Sequence, residues 1–259
     1  MDSSFIHNTD ASLLCIFLFI AMIGLVALGR FAKKIWRKDE SEPSGGVNAL
    51  LTSVFALFGF ILAFTFGMSG NRYDNVRMVV LEEANDIGTA VLRADLYSDS
   101  VRDAFRSDFK RYLEARIAYY NPGDTASWLQ SKKDAASAAT ALWARAIQQS
   151  KEPNMLIPST NMIPALNAMF DIGTTSDVTL QTRVPDLIVY MLFVLALASS
   201  FIAGFTSRVV RARDWIIVTG FALLSSMIIY ITLDLARPLR GIIKADMGKQ
   251  AIVDLRSMF

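Results

Sequence analysis

Residues 50–97 read LLTSVFALFGFILAFTFGMSGNRYDNVRMVVLEEANDIGTAVLRADLY, and they decide the fold. The part up to residue 70 carries no charge. At about 1.5 Å per helical residue it is long enough to cross the hydrocarbon core of a bilayer. Residues 71–97 are dense in charge, contain no proline and keep a helical apolar period. Only Gly67 and Gly70 stand between the two halves, and a glycine costs a helix about 1 kcal/mol relative to alanine. The stretch therefore predicts a membrane span that runs straight on into an amphipathic helix beyond the bilayer.

On a helical wheel, Thr52, Ala56, Gly59, Ala63, Gly67 and Gly70 fall in one sector. Gly59, Ala63 and Gly67 are four apart, the small-residue spacing that lets helix backbones approach closely in lipid. Such a stripe serves either as a packing surface, its commoner use, or as the smooth lining of an oligomer axis. Phe55, Phe58, Leu62 and Phe66 occupy the neighbouring sector, suited to packing, to lipid contact or to narrowing a pore.

Beyond the bilayer, Val76, Val79, Val80, Ile87, Ala90 and Ala94 make one apolar stripe, and Glu83 sits in its middle. Asn75, Glu82, Asp86, Thr89 and Arg93 form a separate polar face. A carboxylate inside an apolar stripe must meet a cation, accept several hydrogen bonds or become neutral. Two readings follow: a buried ion pair with an arginine elsewhere, or an ion-contacting group near the mouth of the membrane domain.

The remaining composition narrows the function. Of 259 residues, 53% are apolar and 19% charged, too apolar for an ordinary soluble domain. A net charge of +2 does not suit nucleic acid as a partner. The single cysteine, Cys15, allows no internal disulfide, and with a single histidine, His7, metal sites and Ser-His or Cys-His catalytic groups lack their parts. Neither an enzyme nor a cofactor is expected.

Residues 11–29 form a first uncharged span, followed by Arg30, Lys33, Lys34, Arg37 and Lys38. The charges follow the apolar run, so this reads as a retained span rather than a cleaved signal. Positive charge gathers on the cytoplasmic side, which puts the N-terminus outside. Residues 39–46 form a polar turn, with Pro43 and the paired glycines as helix breakers. Two later spans, 187–206 and 215–233, are linked by a segment holding Arg208, Arg211 and Arg213. Both short loops agree: four spans, both termini outside and residues 72–185 an outer domain of a membrane protein. No span interior carries Asp, Glu, Lys, Arg or His, which suits a passive pore better than a proton- or ion-coupled pump.

The outer domain reads as all-helical. Phe105, Phe109, Tyr112, Leu113, Arg116, Ile117 and Tyr120 repeat at three and four, up to Asn121-Pro122-Gly123. A second helix carries Ala135, Ala139, Leu142, Trp143, Ala146 and Ile147 and stops at Lys151-Glu152-Pro153-Asn154. A third is expected from near Ser159, with Pro164 in its first turn, to about residues 171–173, and a short fourth from Ser176. The third span repeats the small spacing at Ala196, Ser200 and Gly204, and is expected to meet the stripe of the second. Arg93, Arg183, Arg237 and Arg240 are the candidate partners of Glu83, and a short amphipathic helix is expected from Asp246. The domain boundaries drawn are 1–71, 72–185, 186–234 and a tail, 235–259.

The run GFILAFTFGMSGNRYDNVRMVVLEEANDIGTAVLRADL after Phe58, Arg183-Val184-Pro185 and LDLARPLRGII after the fourth span resemble the bacterial bestrophin-like membrane family, over nearly the whole chain. The resemblance implies kinship to bestrophins, oligomeric anion channels with four spans and a helical extramembrane domain. Bestrophins keep that domain in the cytoplasm, whereas the loop charges here place it outside. The resemblance and the charge-free spans together suggest a homo-oligomeric, passive ion-permeation protein embedded in lipid. Its second span would line the axis, with Glu83, Asp86 and Arg93 near the outer mouth. The alternative is a non-conducting sensor or scaffold whose outer domain binds a partner or small ligand.

Overall fold

The computed structural model describes residues 9–36, 45–121, 123–182, 184–206, 212–237 and 246–259. They form helices α1 (Ala11–Trp36), α2 (Gly45–Arg93), α3 (Asp99–Tyr120), α4 (Thr125–Gln149), α5 (Leu156–Gln181), α6 (Asp186–Thr206), α7 (Ala212–Leu235) and α8 (Asp246–Asp254). Short 3-10 turns follow α2 and α8, and no strand occurs among the described residues. Four stretches are long and apolar enough to cross a membrane: Ala11–Ile35, Ala49–Leu96, part of Leu156–Thr206, and Trp215–Leu235. The protein is an all-α integral membrane protein with a helical extramembrane domain.

Helix α2 is continuous for 49 residues, through Gly67 and Gly70. Residues 39–44 of the expected turn lie outside the described residues, but Gly45 and Gly46 open α2 rather than break a helix. Glycine is tolerated at a helix start, where the first N–H groups have no intrahelical partner to lose.

The chain divides into two units, Met1–Arg72 with Arg183–Arg237, and Tyr73–Thr182 with Pro238–Phe259. In the first, α1 packs on α6 and α7. A Cβ added to Gly29 would lie 2.2 Å from the Phe201 carbonyl oxygen, and one on Gly204 would lie 2.2 Å from that of Val26. Bare backbones therefore meet where α1 crosses α6. Gly204, expected to serve the second span, serves α1 instead, because Gly29 offers it a facing position that also lacks a side chain. Ser200 spends its hydroxyl on the Ala196 carbonyl of its own helix at 2.9 Å. Helix α2 joins this unit through aromatic edges: Phe55 and Phe58 meet Phe221 of α7 with ring centroids 5.3 and 6.3 Å apart. At the end of α7, Arg72 donates to the Ala236 carbonyl at 3.2 Å and Arg237 to the Thr9 carbonyl at 2.8 Å.

The second unit packs the remainder of α2 with α3, α4, α5 and α8. Phe105, Phe109, Leu113, Ile87, Leu142 and Met162 are fully buried at its centre. Burying side chains of this size stabilises by about 1.5–3 kcal/mol each. Asp124 caps α4 reciprocally: its carboxylate accepts from Ser127 N at 2.8 Å and its own N–H donates to Ser127 Oγ at 3.0 Å. Between α4 and α5, Asn154 takes the left-handed conformation (φ 66°), which asparagine adopts more readily than most residues.

Helix α5 departs from the expected pair of short helices. It runs unbroken from Leu156 to Gln181, with Pro164 in its interior and Gly173 within it. The lost ladder bond of a helical proline costs about 3 kcal/mol. The full burial of Met162, Leu166 and Met169 on the same helix offsets it. Gly173 makes room rather than a stop: a Cβ there would come 3.1 Å from the Tyr112 hydroxyl.

Candidate functional site

Helix α2 carries both features singled out in the sequence, and the structure treats them oppositely. Thr52, Ala56, Gly59, Ala63 and Gly67 are exposed and Gly70 is half-buried. A Cβ on Gly59, Gly67 or Gly70 would meet nothing within 4 Å. Of the aromatic sector beside the stripe, Phe55 and Phe58 hold α2 to its own chain, with Phe58 buried, while Phe66 is exposed and Leu57, Phe60 and Phe64 flank the stripe in the open. Intrachain helix packing, the commoner use of small residues, occurs instead at Gly29 and Gly204.

Glu83, by contrast, is fully buried. Arg116 of α3 grips it with two donors, Nε to Oε1 and Nη2 to Oε2, the second at 2.8 Å. Tyr120, one turn further along α3, donates its hydroxyl to Oε2 and shares a second hydrogen bond with Ser176 of α5. The Arg116 guanidinium lies 4.4 Å over the Tyr119 ring and also reaches Asp177 at 3.2 Å. Lys132 of α4 binds the other oxygen of Asp177 at 2.8 Å. The chain Lys132–Asp177–Arg116–Glu83 thus leads from a half-exposed lysine to the buried face of α2, with two charges of each sign.

The environment acts as these charges require. Burial alone would lower the Arg116 pKa, but the charge and hydrogen bonds of Glu83 drive it above the ordinary arginine range. Burial raises Tyr120, and the charge of Glu83 raises it further. Burial would raise Asp177, yet Lys132 and Arg116 together hold it below the usual aspartate range.

Of the arginines proposed from sequence, the two that the structure describes bind other groups. Arg93 donates to the Asn161 carbonyl at 2.7 Å, and Arg237 to Thr9; Arg183 and Arg240 fall outside the described residues. The true partner carried a legible signal. Arg116 is a charge embedded in the apolar repeat of α3, as Glu83 is in that of α2, and two such misfits satisfy each other. Asp86 is half-buried, three residues after Glu83 and about 60° around α2 from it; burial first, then the charges of Glu82 and Glu83, push its carboxyl up.

Four apolar helices and a helical extramembrane domain that shares one long helix with them define the class: an all-α integral membrane protein. Residues 15–247 match the Bestrophin-like domain. The chain belongs to that family. Among solved structures it is similar to a bacterial bestrophin homologue from Klebsiella pneumoniae solved by Zn-SAD phasing. The TM-score is 0.71 at 10% identity, over 93% of this chain and 98% of the other. A tryptophan-to-alanine variant of that homologue gives 0.68 at 10% identity, over 96% and 99%. A further crystal structure, of a membrane protein variant, gives 0.65 at 12%, over 93% and 98%. Comparison with curated proteins returns no match.

Proposed function

We propose that this protein is a homo-oligomeric, passive ion channel of the bacterial inner membrane, with α2 of each copy facing a common axis. The observation that carries the reading is the exposure of Ala56, Gly59, Ala63 and Gly67 on a span that meets its own chain through Phe55 and Phe58. The characterised members of the family are ion channels, which supports the same reading. Spans without charged interiors fit downhill permeation. Asp86 and Arg93 stand near the mouth of the pathway, whereas Glu83 works inside the helical domain. Both termini and the helical domain lie on the outer side in this reading, which the loop charges at Arg30, Lys33, Lys34, Arg37, Lys38, Arg208, Arg211 and Arg213 support.

Flux from proteoliposomes, with cation and anion gradients measured separately, tests it. The expected result is flux that falls when Gly59 or Ala63 is replaced by leucine in protein that still assembles. Folded, assembled protein without flux across a range of pH and voltage overturns the proposal and moves the function to the helical domain.

A further inference from the structure

We infer that the buried Glu83–Arg116–Tyr120 cluster is a rotational pin that sets which face of α2 is presented to the ion pathway. The inference rests on the channel reading above. Glu83 and Ala63 lie twenty residues apart on one uninterrupted helix. At about 100° per residue this places Glu83 roughly 160° around the helix from Ala63. Whatever grips Glu83 therefore fixes the direction opposite to the one in which the stripe points.

The grip is directional in a way apolar packing is not. Val76, Val80, Ile87 and Ala90 are also buried on this side of α2. Aliphatic contacts, however, tolerate repacking at modest cost when volume is kept. A planar guanidinium bound to a carboxylate through two parallel bonds accepts one geometry. Three other helices hold this one turn of α2: α3 through Arg116 and Tyr120, α5 through Ser176 and Asp177, and α4 through Lys132 on Asp177. A buried ion pair commonly adds little net stability over a well-packed apolar substitute, and specifying register is its best-attested use.

The test uses the full chain in its membrane, with Cys15→Ser removing the native thiol. Single cysteines are placed at Ala56, Ala63 or Leu62, and their reaction with a water-soluble methanethiosulfonate is timed. The measurement is made with the pin intact and with Glu83→Met and Arg116→Met together, which removes both charges at once. With the pin intact, Ala56→Cys and Ala63→Cys should react at least roughly tenfold faster than Leu62→Cys, and without it that ratio should collapse towards one. An unchanged ratio in the folded double variant overturns the pin while leaving the channel reading standing. A stripe that does not react even with the pin intact overturns the axis reading, and the pin with it. If the double variant does not fold, Arg116→Lys keeps the charge and removes the two-pronged bond. The same collapse is expected there, and an unchanged ratio overturns the pin.

Discussion

Three donors converge on Glu83, and the consequences of removing them differ by partner. Glu83→Ala or Arg116→Ala alone leaves a buried charge uncompensated, with an expected loss of about 3–5 kcal/mol. Glu83→Met with Arg116→Met should lose clearly less than the sum of the single changes, because no orphan charge remains. Thermal unfolding of all four proteins in detergent reads this, and simple additivity would refute the pair. Asp86 gives the opposite sign. Its folded pKa is raised, so its charged form weakens the folded state above that pKa, and protonation relieves the penalty as pH falls. Asp86→Asn should therefore raise the melting temperature at neutral pH, and the gain should vanish towards about pH 4. Equal gains at both pH values would show that charge is not the cause.

At the scale of elements, two kinds of glycine act in the membrane. Gly29 and Gly204 admit a neighbouring backbone, whereas Gly59 and Gly67 face open space within the chain. Gly204→Leu should force α1 from α6, lowering the yield of folded protein and its melting temperature by several degrees. An overpacked core costs about 1–3 kcal/mol. Gly59→Leu should leave the melting temperature of dissociated protomers unchanged and show its effect in assembly and flux. Equal damage from both would mean that Gly59 packs within the chain. The sequence spacing found the stripe on α2 and the one on α6, but a spacing names no partner, and that pairing failed. Continuity of α2 was legible because two glycines are a small cost against a long apolar period. Unbroken α5 was not, because what carries it past Pro164 and Gly173 is burial supplied by other helices. Arg116 was legible in principle as the second misfit in an apolar stripe; no local pattern measures which two misfits meet.

At the scale of the whole molecule, the direction of insertion proposed above is the sharpest difference from the bestrophin resemblance, and the proposal rests on basic residues in two short loops. Cytoplasmic retention of arginine and lysine acts on basic residues close to the span ends, the situation of Arg30, Lys33 and Lys34 in the last turns of α1 and of Arg208, Arg211 and Arg213 just before the last apolar stretch. In that proposal each loop orients its own pair of spans, and the two loops call for the same direction. Inverting the protein would require both basic segments to be translocated across the membrane. In the Cys15→Ser background, Thr125→Cys at the exposed start of α4 should react with a membrane-impermeant maleimide in intact spheroplasts. Lys34→Cys should react only after lysis. The reverse pattern would place the helical domain in the cytoplasm, and the proposed mouth at Asp86 and Arg93 would then be the inner one instead of the outer. Replacing Arg30, Lys33 and Lys34 together with glutamine separates the cause from the outcome. If loop charge sets the insertion, that change should produce a mixed population in which Thr125→Cys is only partly labelled in intact spheroplasts; unaltered labelling would mean that the second loop alone, or the domain itself, decides the orientation.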